Sequence, residues 1–325
     1  MNVTVLVALV VACAAVCVAG VAFARRRGRA HDEQAVFVSY PTMFGKAHVF
    51  TVRYDATIAA HRQADDDADD AVRSSAAPTD SDANDPAPDD EGAPVWVRVL
   101  EIGGAYQAAT FITDDACYDL VFDYCRLFDR LFETGIPIRR VLMLGGGGYM
   151  YPKHLISQYP DVALDVVEID PAITALAERY FYLDRLIEEF VTERTRRLRL
   201  VNDDARHFLD ELPSDVRYDA IINDCFAGRA PVASLAGSDA ARLIHAHLTP
   251  GGAYLVNAIA ALEGPAAAPL VDLGRTLSPT FSHLCCVPCR RFAKDDTDNV
   301  LVIATDGTAS FTGAIPLPRA TEAQG

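Results

Sequence analysis

The sequence predicts an α/β protein: a doubly wound, mainly parallel sheet with helices on both faces, preceded by a small antiparallel sheet. Three observations carry this expectation. From about residue 115 onward, short apolar runs alternate with helical stretches, the pattern of a parallel sheet covered on both sides. Several of these runs end in glycine or in an acid, the residue types used where such sheets bind ligands. Ahead of them lie four runs with strand character, split by a segment with almost nothing to bury.

Residues 3–24, VTVLVALVVACAAVCVAGVAFA, are 22 residues with one hydroxyl and no charge. That is long enough to cross a bilayer as a helix. Arg25, Arg26, Arg27 and Arg29 follow at once, and such a cluster favours the cytoplasmic side. No basic residue precedes the run, and its length exceeds a signal-peptide core. Residues 1–30 are therefore expected to be a single-pass anchor in the cell membrane, with the remaining chain cytoplasmic.

The runs AVFVSY and HVFTVRYDATIAA within 31–61, and VWVRVLEIGG and QAATFI within 95–113, read as one small N-terminal β-sheet. Between them, residues 62–94 hold eleven acids against Arg62 and Arg73, a net −9 out of the chain's −16. This composition is that of a disordered insert. The acidity argues against binding a nucleic-acid backbone. It suits cationic ligands only where it lines a pocket.

YDLVFDYCRLFDRLF places apolar residues at helical spacing and predicts an amphipathic helix. The strands expected next are RVLML (140–144), LDVVEI (164–169), LRLV (198–201), YDAIIN (218–223) and AYLVNAI (253–259). HLCCVP and NVLVIAT, separated by a short charged turn, read as a closing hairpin that adds an antiparallel edge strand. One α/β domain is expected over 114–308 and a flexible tail over 309–325. CCVPC (285–289) lacks a second CxxC to complete a four-cysteine set. It reads as apolar strand, and no metal is predicted. His245 and His247, two apart on a helix, face different ways.

Ligands in open α/β sheets bind beyond the carboxyl ends of the strands. The first strand ends in Gly145 to Gly148, where glycine permits a sharp turn and close approach. The second ends in VVEIDP, and Glu168 lies 23 residues after Gly145, suited to accept hydrogen bonds from ribose hydroxyls. The third ends in VNDDARHFL, with Asp204 positioned for an adenine amino group and Asp203 as a turn acid. The fourth ends at Asp224. Any one of these acids alone reads as a cap or a turn. Four consecutive strand ends of this kind read as a site. The third glycine of a nicotinamide fingerprint falls on Met150, so an adenosyl sulfonium fits better than a dinucleotide.

From about Val97 to Thr305 the sequence resembles the spermidine synthase family, in particular its membrane-associated bacterial relatives. The resemblance rests on GGAYQAATFITDDACYDLVFDY, VLMLGGGG, VVEIDP, NDDARHFL and YDAIINDCFAG, in that order. It implies a seven-stranded class I methyltransferase-like fold, a small N-terminal β-domain and commonly a homodimer. By matching position, Gln107 and the loop with Gly145 and Gly147 contact the donor, Glu168 the ribose and Asp204 the adenine. Tyr118 matches a tyrosine near the acceptor amine, and Asp224 the acid that accepts the amine's proton. The chain departs from the family at three places: Gly148 where an aspartate holds the donor's amino group, Ala227 where a second acid follows Asp224, and Asp119 where histidine is frequent.

The resemblance implies aminopropyl transfer from decarboxylated S-adenosylmethionine to a putrescine-like di- or polyamine, with no permanently bound cofactor. Two alternatives stand beside it. One is methyl transfer from S-adenosylmethionine to an unknown acceptor, favoured by Gly148 because an aspartate there would repel the intact donor's carboxylate. The other is a non-catalytic, membrane-tethered nucleoside-binding protein.

Overall fold

Alternating side chains build the first sheet. β1 (Phe37–Thr42), β2 (Gly45–Arg53), β3 (Trp96–Ile102) and β4 (Ala105–Phe111) form an antiparallel meander in that order. Val97 and Val99 on one face of β3, and Arg98 and Leu100 on the other, are all buried, so β3 is covered on both sides. Arg98 Nη1 donates 2.9 Å to the carbonyl of Tyr180, fastening this sheet to the larger domain. The structure is a computed structural model describing residues 36–55, 58, 94–192, 195–227, 230–289 and 296–318. The expected anchor (1–30) lies outside the described residues, as does the acidic insert (62–94) except for Pro94. No helix among the described residues is long and apolar enough to cross a membrane.

The larger domain is a seven-stranded mixed sheet. Its strands are β5 (Arg140–Leu144), β6 (Ala163–Glu168), β7 (Leu198–Asn202), β8 (Tyr218–Asn223), β11 (Leu248–Ala260), β12 (His283–Pro288) and β13 (Asp298–Thr305). The spatial order is β12-β13-β11-β8-β5-β6-β7. The remaining pair, β9 (Phe226–Ala227) and β10 (Ala230–Pro231), is a two-residue ladder beyond β8. In β5, Val141 and Met143 enter one buried cluster while Leu142 and Leu144 enter another, as a sheet covered on both faces requires. The helices are α1 (Met150–Gln158), α2 (Pro171–Tyr180), α3 (Leu183–Phe190), α4 (Ala205–Asp210), α5 (Ser238–Ala246) and α6 (Ala268–Leu277).

Three expectations are corrected. The closing hairpin does not put its antiparallel strand at the edge. After α6 the chain reaches the edge as β12, then returns as β13 into the gap beside β11, pairing antiparallel with both. The expected tail is in part laid along that edge: Cys286 and Ile315 exchange backbone hydrogen bonds of 2.9 and 2.8 Å, which covers strand groups that would otherwise be unpaired. The amphipathic helix starts later than its apolar spacing suggests, as a 3₁₀ helix over Asp123–Glu133. The carbonyl of Cys117 accepts from Lys153 Nζ at 3.1 Å and Thr110 Oγ1 at 3.0 Å, and that of Leu120 from Arg126 Nη2 at 2.7 Å. Side chains thus take carbonyls that an α-helix beginning at Tyr118 would bond to its own amides.

Candidate active site

The carboxyl ends of β5, β6 and β8 and the start of β13 open into one cavity of about 950 Å³. Gln107, Gly145, Gly147, Glu168, Asp204 and Asp224 all line it. The small sheet closes one side through Leu100, Gln107 and Phe44 at the tip of the β1–β2 hairpin. Met43 N of that tip donates 2.6 Å to Asp170 Oδ2, and Tyr40 and Tyr180 hydroxyls bond at 2.8 Å. The hairpin is thereby tied to both ends of α2.

The glycine loop and the acid after β6 form one unit. Gly146 N and Gly147 N donate to Glu168 Oε2 at 2.9 and 3.1 Å, and Asp170 N to Oε1 at 3.0 Å. Glu168 is 7% exposed; burial pushes its carboxyl up, and the three amides pull against that shift. Asp170 in turn caps α2, its Oδ1 accepting from Ala172 N at 2.9 Å with Pro171 at the first helical position. Gly145 sits at φ +91°, and a Cβ there would stand 2.6 Å from the Asp224 carbonyl. Only glycine lets β5 turn this close to the end of β8.

Gly148 has a local steric cause. A Cβ on it would lie 2.2 Å from the Cβ of Ala108 on β4, so the backbone of this chain has no room for the aspartate of the resembled family. The loop then ends at Tyr149 in the left-handed region (φ 57°), and α1 begins. Asp204 combines two readings: its Oδ1 caps α4 by accepting from Arg206 N at 2.9 Å and His207 N at 3.0 Å, while the residue lines the cavity. Asp203 also lines it and pairs with His207 at 2.9 Å, which holds its carboxyl below the usual range.

Asp224 stands at the centre. Its Oδ1 accepts from Asn257 Nδ2 of β11 at 2.8 Å and its Oδ2 from the Tyr124 hydroxyl at 3.3 Å. Burial raises its pKa to about 6, and the two hydrogen bonds oppose that rise. Tyr118 is not brought here. Its hydroxyl donates 2.9 Å to Glu189 of α3, and its ring meets Phe190 edge-on at 5.6 Å. The cause is the late start of the 3₁₀ helix, which leaves Tyr118 in the preceding turn. Tyr124, six residues on, takes the place beside the acid. Asp119 is exposed, and Ala227 is in the β9–β10 ladder.

Sequence reasoning missed Tyr124, Asn257, Phe44 and the acids of the β12–β13 connection. One signal was available: Asn257 interrupts the apolar run AYLVNAI, where an amide needs a partner. Among the described residues no group of three or more His, Cys, Asp or Glu is arranged to hold a metal ion. Cys285 and Cys286 are free thiols on β12, opposite Ile303 and Val302 of β13, and Cys286 is buried in the core.

A family model described as "Spermine/spermidine synthase domain" matches residues 133–265. The Polyamine aminopropyltransferase of Vibrio vulnificus (strain CMCP6) is 34% identical over 90 residues, 27% of this chain and 27% of that protein. The chain thus matches about a quarter of the length of that curated relative. Among solved structures, a probable spermidine synthase from Corynebacterium glutamicum ATCC 13032 is similar at a TM-score of 0.58 and 16% identity, over 83% of this chain and 80% of that one. This is a likeness of fold: a class I methyltransferase-like α/β domain with a small N-terminal β-sheet. Residues 133–265, which the family model matches, hold the glycine loop, Glu168, Asp204 and Asp224.

Proposed function

We propose that this protein transfers an aminopropyl group from decarboxylated S-adenosylmethionine to a putrescine-like diamine or polyamine. The observation that carries the reading is the charge of the cavity. Glu168, Asp203, Asp204, Asp224, Asp296 and Asp298 line it, and among the described residues no Lys, Arg or His does. A sulfonium and an ammonium are both drawn to such a surface. Among the described residues, the carboxylate of intact S-adenosylmethionine meets no cationic side chain there, which weighs against methyl transfer despite Gly148.

In this reading Gln107 and the Gly145–Gly147 loop hold the donor, Glu168 its ribose and Asp204 its adenine. Glu168 keeps its lone pairs toward the ribose only in part, since three amides already bond to it. Asp224 binds the acceptor's reacting ammonium and takes its proton. The freed amine attacks the carbon next to sulfur, a nitrogen–carbon bond forms, and the carbon–sulfur pair returns to sulfur as a neutral thioether. A base shifted to about 6 is ionised at neutral pH and still a stronger acceptor than an ordinary aspartate. Asn257 and Tyr124 hold its two oxygens in place.

The 22-residue apolar run at 3–24 and the arginines after it support a membrane anchor with the domain on the cytoplasmic side; fractionation of chains with and without residues 1–30 tests it. Homodimerisation belongs to the same proposal and is read by light scattering. The reaction is tested by incubating the full-length chain with decarboxylated S-adenosylmethionine and putrescine. Stoichiometric methylthioadenosine and spermidine support it. Methylated product from S-adenosylmethionine, with none from the decarboxylated donor, overturns it.

A further inference from the structure

The small sheet meets the glycine loop and α1 along one seam, closed by a charged side chain that the reaction above leaves unused. Three consecutive residues of β4 form its near side. Ala108 lies against Gly148, Ala109 N donates 3.2 Å to Met150 Sδ, and Thr110 Oγ1 accepts from Lys153 Nζ at 3.0 Å. Lys153 stands in the first turn of α1, and its backbone N–H donates 3.0 Å to the Tyr149 carbonyl at the end of the loop. Its Nζ donates also to the Cys117 carbonyl at 3.1 Å and lies 5.9 Å from the centre of the Tyr182 ring. One ammonium thus joins α1, β4 and the turn before the 3₁₀ helix.

This group is 2% exposed, and its hydrogen-bond acceptors among the described residues are a hydroxyl and a carbonyl, with no carboxylate. A buried charge without a counter-ion is expensive, and burial lowers its pKa to about 7. Its neighbours do not relieve that cost. The Cys117 thiol is itself pushed up by burial. Arg98, opposite Thr110 in the β3–β4 ladder, is turned to the Tyr180 carbonyl. Asp114 and Glu189 both pair with Arg185. Loss of the proton removes one of three N–H donors, and with it the charge that strengthens the other two.

The seam borders the place where a nucleoside would enter. Gln107, three residues before Thr110 on β4, lines the cavity together with Gly145–Gly148. A Cβ on Gly147 would stand 3.7 Å from the Gln107 carbonyl, so strand and loop are already in contact distance. How tightly α1 is held to β4 therefore sets the width of the cleft between Gln107 and the loop.

We propose that Lys153 is a positioning residue for the adenosyl donor: its ammonium clamps β4 to α1, and release of its proton loosens the clamp and weakens nucleoside binding. This inference rests on the adenosyl-donor part of the reading above, whichever group is transferred.

The test uses 5′-methylthioadenosine, a nucleoside thioether with no group that titrates between pH 6 and 9. Its affinity is measured by calorimetry at pH 6 and pH 8.5 for the full-length chain, Lys153→Met, Thr110→Val and Thr110→Ser, and thermal unfolding confirms that each is folded. The unmodified chain should bind about five- to tenfold more weakly at pH 8.5. Lys153→Met and Thr110→Val should bind weakly at both, changing less than twofold, while Thr110→Ser, which keeps the hydroxyl, retains the fall. Asp224 and Glu168 are present in all four proteins, so the comparison assigns the fall to the clamp. Where Lys153→Met does not fold, the two Thr110 variants carry the same test. A fall that persists without the lysine or the hydroxyl, or that is absent from the unmodified chain, overturns the inference and leaves the donor reading standing. No binding by the unmodified chain at either pH overturns the donor reading, and the inference with it.

Discussion

Asn257 reaches from β11 to bond Asp224 Oδ1 at 2.8 Å, while Tyr124 approaches the other oxygen at 3.3 Å from the 3₁₀ helix. The acid at the end of β8 is therefore held from two sides, by elements that are 133 residues apart in sequence. Burial alone would push it further toward the neutral form, and these two donors keep it ionisable near neutral pH.

Asp224→Asn separates its chemical role from its structural cost. Transfer falls about 10²- to 10⁴-fold with the loss of a proton acceptor. Stability changes the other way. The folded pKa of about 6 is raised from 3.8, so the native state gains from the protonated acid below 3.8 and loses that gain as pH rises through 6. Asparagine removes the loss, worth about 3 kcal/mol at pH 7. Denaturant melts should show a variant more stable than the parent above pH 6, with the difference gone near pH 3.8. In the parent, transfer should rise with pH through about 6 as Asp224 ionises.

The two tyrosines are distinguished by single substitutions. Tyr124→Phe removes a hydroxyl that favours the ionised acid. The acidic limb of the pH–rate profile should move to higher pH, and kcat/KM should fall about five- to tenfold. Tyr118→Phe breaks only the bond to Glu189 and should leave both within twofold. The reverse pattern in a pH–rate comparison contradicts the arrangement.

Gly148→Asp, which would restore the acid of the resembled family, should destabilise the protein. Its Cβ collides with the Cβ of Ala108, and overpacking of this kind costs about 1–3 kcal/mol. Ala108→Gly in the same chain should recover at least half of that loss. Thermal unfolding of the four proteins in the cycle reads the coupling; additive losses would mean that the loop and β4 are not in contact.

Lys153 is 2% exposed and donates to Thr110 Oγ1 and the Cys117 carbonyl. Burial lowers its pKa from 10.5 to about 7. The unfolded chain thus holds a proton that the folded chain has released, and stability rises with pH above 7. Toward pH 9 the thiols of Cys117 and Cys125, pushed up by burial, oppose this trend. Lys153→Met should flatten the rise between pH 7 and 9 in urea melts.

The architecture was legible because its signals are local. Each strand of the domain is a short apolar run, and the glycines and acids that follow lie at strand ends where backbone and ligand meet. The place of β13 was not, since a hairpin's sequence does not say which arm faces the sheet; that is decided by the crossover through α6. Tyr118 and Tyr124 share one apolar pattern, and only side chains from elsewhere, Lys153 and Thr110, fix where the helix begins. Asn257 meets Asp224 through strand register, which composition and spacing do not reveal.

The central claim is that this cavity is built for a cationic donor and a cationic acceptor around Asp224. Calorimetry of the full-length chain with decarboxylated and intact S-adenosylmethionine tests it most directly. The account predicts binding of the decarboxylated form at least tenfold tighter, a preference of about 1.4 kcal/mol, because the added carboxylate meets the acids of the cavity. Equal binding, or a preference for intact S-adenosylmethionine, would contradict it.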